Sequence, residues 1–442
     1  MNKIYKLIWC LSRNSWIVCS ELGRKAKSNS AKHLLIGFIG LVSSFSTFAA
    51  ECVVNPTSGL WTINGTTCEI SEQVKTVNVG WQSVLGLGSR PNENVKVQKA
   101  DGGLGDLTIN AITNSTRYQD YGSTGISLSN KSTLKANDLT VNIKAGEAGK
   151  RTQVFGVTAW GGASIDANSI NINAVTMYEN NTIRGSGESY AFQVGTAITG
   201  EDNKVGSTSK ITVKDADIKL TNTANSIKGL LGVLGPYQMS GIRVIRNENN
   251  SGSNAVFEST AKLTIDVKDS STSRSGDYIT GIYVSGDDNK VILNDSDITI
   301  GKSGQYSSAL KIGKGRATGT GGGEVQSHGN MLLDTTVEST APTVRLIGTG
   351  SKLIADYSTS SSEIKSANTA VLFGSYDYST RYKSTDQDVL LKNAKINTTS
   401  TNASLILVNA GVTGAKMNVK GDESLLTAAD SGWLKSKIQV SG

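Results

Sequence analysis

The sequence predicts an all-β chain, a right-handed parallel β-helix (solenoid) with variable loops, and three observations carry that expectation. Short runs of alternating apolar and polar residues end at Gly, Asn, Asp or Ser, which is strand-and-turn chemistry. These runs recur along the chain as loosely matching units. After the first 50 residues no helical period is sustained, and 48 glycines accompany only four prolines and 6% aromatics among 442 residues. Disordered chains share the low aromatic content but lack regularly spaced Val, Ile and Leu.

Residues 1–50 read as an export leader. Arg24, Lys25, Lys27 and Lys32 precede an apolar run from Leu34 to Val42, and small residues follow up to Ala49-Ala50. That run is too short to span a bilayer, and its end suits signal peptidase, after Ala49 or Ala50. No later run is long and apolar enough for a helical span. The leader also explains the net charge of +7. It holds seven of the 44 Lys and Arg residues and one of the 37 Asp and Glu, which leaves 37 cations and 36 anions in the remainder. A nearly neutral mature chain gives no electrostatic case for a nucleic-acid partner.

Residues 51–130 read as an N-terminal cap and the first coils. Two of the four cysteines, Cys52 and Cys68, lie here. An even count in an exported chain predicts a disulfide, and closing a loop of about 15 residues stabilises by about 3 kcal/mol. Metal binding is the weaker alternative, because two thiolates with no His nearby do not complete a zinc site.

Residues 131–442 read as the body of the solenoid. A small residue followed by apolar-x-apolar appears at Ala191-Phe192-x-Val194, Gly241-Ile242-x-Val244, Gly281-Ile282-x-Val284 and Ala309-Leu310-x-Ile312. It returns at Thr343-Val344-x-Leu346, Ala370-Val371-x-Phe373 and Ser404-Leu405-x-Leu407, with a mean step near 31 residues from Ile282 to Leu405. A second unit, Ile211-x-Val213-x-Asp215-Ala216-x-Ile218, matches Val291-x-Leu293-x-Asp295-Ser296-x-Ile298 and Val389-x-Leu391-x-Asn393-Ala394-x-Ile396. Three short strands per coil, stacked at about 4.8 Å, would bury the inward residues in shared columns. About 12 coils would make a rod about 60 Å long. Longer connections are expected at 222–240, 247–256, 314–330 and 374–387, where loops can vary without disturbing the stack.

In front of the secretory signal stand Met1-Asn2-Lys3-Ile4-Tyr5-Lys6-Leu7-Ile8-Trp9 and Trp16-Ile17-Val18-Cys19-Ser20-Glu21-Leu22. This stretch resembles the extended signal peptide of Gram-negative type V secretion proteins, with Cys10 and Cys19 as departures. With leader and repeats together, the chain resembles the adhesin-like passenger of a monomeric type V autotransporter. The resemblance implies passage through the Sec translocon and the outer-membrane assembly machinery to the cell surface or beyond. It also implies attachment to a host-surface glycan or protein, or self-association between bacteria. That family carries a C-terminal outer-membrane barrel, expected to lie outside a sequence that stops at Ser441-Gly442.

Candidate sites are sparse, and neither a catalytic set, a metal nor a cofactor is expected. The mature chain has one histidine, His328, and the triad it could form with Ser431 has no motif behind it. The carboxylates at Asp287-Asp288 and Glu201-Asp202 could serve a glycan-active enzyme, a polysaccharide lyase or hydrolase, but both sit in matching turns that explain them. An inert truncated passenger is the remaining alternative. Two binding features stand out. The middle residues of successive strand units, Arg243, Tyr283, Lys311 and Arg345, point outward by alternation and would form a cationic, partly aromatic ladder suited to acidic glycans, or simply a solvated face. The loop at 374–382 groups Tyr376, Tyr378, Arg381 and Tyr382, which could stack on sugar or peptide or merely pack over a coil edge.

Overall fold

A computed structural model describes the backbone of residues 5–10, 15–20 and most of 50–145. Beyond that it describes 154–176, 188–195, 208–223, 238–245, 254–269, 278–313, 321–374, 384–400, 403–409, 411–428 and 438–440, with side-chain surroundings between 83 and 427. Met1–Ala49 and Ala50–Gly442 are separate compact units. In the first, Tyr5–Cys10 pairs antiparallel with Ser15–Ser20, setting Trp9 beside Trp16. Cys52 and the side chain of Cys68 lie outside the described residues, and so does the expected disulfide.

The second unit is a parallel β-helix. Its strands form one 18-stranded and one 13-stranded sheet, with Ser384–Thr385 and Val412–Thr413 as a separate pair, and every ladder between strands from Ser83 onward is parallel. Parallel pairing in register sets each residue over its equivalent in the next rung. One inward column of the 18-stranded sheet runs Leu134, Ile165, Ile211, Phe257, Val291, Val325, Leu353 and Val389. Another runs Val141, Ile172, Ile218, Ile265, Ile298, Leu333, Ile364 and Ile396. All are buried, and burying each such side chain contributes about 1.5–3 kcal/mol. Steps along the first column are 31, 46, 46, 34, 34, 28 and 36 residues, more uneven than the expected mean of 31.

Three short strands per coil, as expected, occur before Thr133 (Asn94–Gln98, Leu107–Thr113 and Ser123–Leu128) and again from Glu324, but in the rungs between two of them are fused. Single strands of 12–15 residues, such as Thr133–Ala145, Ser209–Asn222 and Ala255–Asp269, turn a corner and cover two sides. The corner is where burial alternation slips: Ala136 and Leu139 are both inward, with Asn137 and Asp138 between them. The polar corner residues bracket adjacent rungs. Asn137 Nδ2 donates to Asp106 Oδ1 at 2.7 Å, and Ser169 Oγ donates to Asp138 Oδ1 at 2.7 Å. Asp215 and Asp295 accept the backbone amides of Lys262 and Asn330 at 3.0 and 2.8 Å. From Glu324 onward the long strand splits at the corner, into Glu324–Ser327 and Asn330–Thr335 for example. The first of these lies inside the connection expected at 314–330, which is therefore shorter than the sequence suggests.

The small residue that opens each short-strand unit has a steric cause. Gly125, Gly156, Ala191, Gly241, Gly281 and Ala309 stack in one column that faces the other sheet. A Cβ on Gly281 would meet Ile298 Cγ2 at 2.4 Å and the Ala309 carbonyl oxygen at 2.6 Å. The two sheets thus approach too closely there for a larger side chain. In the last matching unit the structure corrects the alignment: Val371 pairs with Ile406, not Leu405, and Leu372 with Leu407. Leu405 consequently falls in the small-residue column. By this level another inward column of the facing sheet has become Thr335, Ser366 and Thr398, smaller than the Val267 and Ile300 earlier in it, which leaves room for leucine.

Two substitutions test this packing. Ile298→Ala is expected to lower stability by about 2–5 kcal/mol in equilibrium denaturant unfolding. Gly281→Val should be worse, yielding a chain that loses its β-sheet circular dichroism rather than a slightly weakened fold.

Candidate binding faces of the solenoid

The short-strand sheet brings the predicted ladder together. Arg243 pairs with Tyr283, Tyr283 with Lys311, and Lys311 with Arg345, while Gln193 precedes and Leu372 follows. These residues come from strands separated by 28 to 40 positions, and only the common register makes them neighbours. Lys311 Nζ lies 4.8 Å from the Tyr283 ring centroid, and the Arg243 guanidinium 5.9 Å from that of Tyr190. Tyr190 in turn stacks on Phe155 at 4.3 Å and 20°. Cation–π contacts of this kind contribute about 0.5–1 kcal/mol when exposed.

The exposure of the ladder is graded, which corrects one expectation. Arg243, Tyr283 and Lys311 are half-buried, but Arg345 is only 4% exposed. Its Nη1 donates to the Tyr306 carbonyl oxygen at 3.1 Å, so it acts as a packed side chain of the sheet's outer face. Leu372, next in the column, is fully buried. The usable part of the ladder is therefore Arg243, Tyr283 and Lys311. The loop carrying Tyr376, Tyr378, Arg381 and Tyr382 lies outside the described residues, as does Glu201-Asp202.

The carboxylates of Asp287-Asp288 are explained by their turn. Asp288 has φ 68°, both side chains are exposed, and the buried Asn289 holds the turn in place. Asn289 Nδ2 donates to the Ser285 carbonyl at 2.6 Å, and its Oδ1 accepts the Ala255 amide at 2.9 Å. His328 stacks on Tyr357 at 3.8 Å, and Ser431 lies outside the described residues. Burial, reinforced by the charge of Glu324, raises the Tyr357 phenol above its ordinary value. Among the described residues no group of three or more His, Cys, Asp or Glu could hold a metal ion. Nor is any described helix long and apolar enough to cross a membrane, which says nothing of strands.

A second surface has no single motif in the sequence. On the outer side of the 18-stranded sheet, one column runs Thr108, Thr140, Asn171, Asp217, Thr264 and Asp297. Its neighbour runs Asn110, Asn142, Asn173, Lys219, Asp266 and Thr299. Asn142 Nδ2 donates to Asn110 Oδ1 at 2.9 Å, the start of an amide ladder. Toward the C-terminal end a shallow hollow of about 370 Å³ is lined by Asp266, Lys268, Asp297, Thr299 and Val337 among others. Only the outward phase of the alternation, taken across rungs, could have revealed these columns.

Residues 1–49 match the family described as Extended Signal Peptide of Type V secretion system. No curated protein and no solved structure matches the chain. A type V secretion leader ahead of a parallel β-helix supports an autotransporter passenger, and the leader implies export through the periplasm to the cell surface or release.

The grading of the ladder predicts unequal substitutions. Arg345→Ala is expected to destabilise by about 1–3 kcal/mol, because it empties a buried polar site. Lys311→Ala should stay within about 1 kcal/mol, the scale of an exposed cation–π contact. Thermal and denaturant unfolding of the two variants side by side provides the measurement.

Proposed function

We propose that the exported passenger is an adhesin, a rigid rod that attaches bacteria to surfaces through many weak contacts rather than through a catalytic centre. One observation carries the reading: an export leader for the cell surface is joined to a stack whose outer residues repeat in register over many rungs. Such a rod offers the same chemistry again and again at the rung spacing of about 4.8 Å. Individually weak polar contacts then sum by avidity.

The chemistry offered by Arg243, Tyr283 and Lys311 favours an acidic glycan. Two cations flank the Tyr283 ring, so carboxylate or sulfate groups can be paired with them beside the edge of that ring. Outside the ladder, the Thr, Asn and Asp columns supply donors and acceptors for hydroxyl-rich surfaces.

The test is binding of the purified mature chain to epithelial cells and to immobilised acidic polysaccharide. Arg243→Glu combined with Lys311→Glu is expected to weaken binding to the acidic polysaccharide by tenfold or more, since like charges brought together cost several kcal/mol. Undiminished binding by that variant would remove the glycan assignment. Release of shortened oligosaccharides during the same incubation would replace adhesion with a glycan-active enzyme.

A further inference from the structure

The first side of the long sheet changes character at one rung. Its outward column begins with Lys96, Lys135, Asp166, Thr212 and Glu258, and then becomes Ile292, Gln326, Ile354 and Leu390 before ending at Asn418. Three branched aliphatic side chains therefore stand half-buried on the outside of the solenoid, where the preceding rungs are polar. Beside them runs a column of alternating charge: Lys290, Glu324, Lys352, Asp388 and Lys416. Lys290 and Glu324 pair at 3.6 Å, whereas Lys352, Asp388 and Lys416 make no ion pair among the described residues. Lys352 and Lys416 are exposed.

We propose that this face pairs with the same face of a second copy, the two rods lying side by side and antiparallel. This rests on the adhesive reading above and names a partner for it. The argument is charge complementarity under symmetry. Place a two-fold axis along the strand direction, between the rungs of Glu324 and Lys352. Glu324 then opposes Lys352 of the second copy, and Lys290 opposes its Asp388. The same axis sets Ile292 against Leu390 at each end of the face, where aliphatic groups meet, and Gln326 against Ile354 at its centre. Each contact occurs twice, as an isologous interface requires. Parallel rods in register would instead set every charge against itself. A solvated ion ladder explains the alternation alone, but it gives no reason for an aliphatic column beside it.

Four rungs at about 4.8 Å make a face about 20 Å long, small for a stable complex. The pairing is therefore weak for two free molecules and effective between surfaces that display many copies.

The experiment uses beads coated with the mature chain. Wild-type beads are expected to clump, and to disperse as salt is raised, because exposed charge contacts are screened. Glu324→Lys places an ammonium group against Lys352 of the second copy, and Lys352→Glu places a carboxylate against its Glu324. Beads carrying either variant alone should stay dispersed. A mixture of the two bead populations should clump. There the introduced lysine meets the introduced glutamate, and the Lys352 kept by the first variant meets the Glu324 kept by the second. Circular dichroism matching the wild type establishes that both variants fold. Clumping by either variant alone at the wild-type level, or a dispersed mixture, overturns the proposal. Wild-type beads that bind epithelial cells yet never clump would overturn this pairing while leaving the adhesive reading intact.

Discussion

In-register parallel pairing between rungs is the constraint on which the rest of this molecule depends. Each strand donates and accepts along its whole length to the rungs before and after it. A residue is thereby committed to lie over its equivalent at about 4.8 Å, whatever the intervening loop contains. Loops of very different length can separate Ile165 from Ile211 or Val325 from Leu353 without moving either column. Inside, the same rule makes composition a column property. Ile172, Ile218, Ile265 and Ile298 succeed one another because a β-branched side chain over another of its kind fills the space without a void.

Much of this was legible in the sequence, because the inward phase is periodic. The strand units, the two matching patterns and the small residue opening each short strand could all be read as text. The reason for that small residue could not, since the contact between Gly281 and Ile298 joins different sheets. The slipped register at Ile406 was hidden for a related cause. Ser404-Leu405-x-Leu407 is as good a textual match as Leu405-Ile406-x-Val408 is a structural one, and only packing against the facing sheet chooses. Alternation also failed to tell outward from exposed. Arg345 is on the outer side of its sheet and still 4% accessible. Charge columns such as Lys290, Glu324, Lys352 and Asp388 were invisible for want of the register, because their spacing follows loop lengths.

The core is not uniform along the stack. The inward column of Val267 and Ile300 turns to Thr335 and Ser366 in later rungs, with Thr343 beside them, all buried, while the columns of Val325 and Leu333 stay aliphatic. Thr335 Oγ1 and Thr343 Oγ1 lie 2.7 Å apart, Thr343 Oγ1 donates to the Lys365 carbonyl at 3.1 Å, and Ser366 Oγ donates to that of Thr369 at 3.0 Å. Buried hydroxyls with partners fix lateral position more sharply than aliphatic contacts, because a displaced hydrogen bond is lost outright. These levels therefore trade apolar burial for positional definition.

Stacking also connects the fold to its route of export. Each rung contacts chiefly the rungs beside it, so stability accumulates by nearest-neighbour contacts and structure can propagate coil by coil. A chain that emerges segment by segment meets no long-range pairing that must wait for distant segments. A globular sheet with strands ordered out of sequence would have to hold its early segments unpaired until the late ones arrive. The columns that make the exterior repetitive are thus produced by the same nearest-neighbour architecture that lets the chain fold rung by rung.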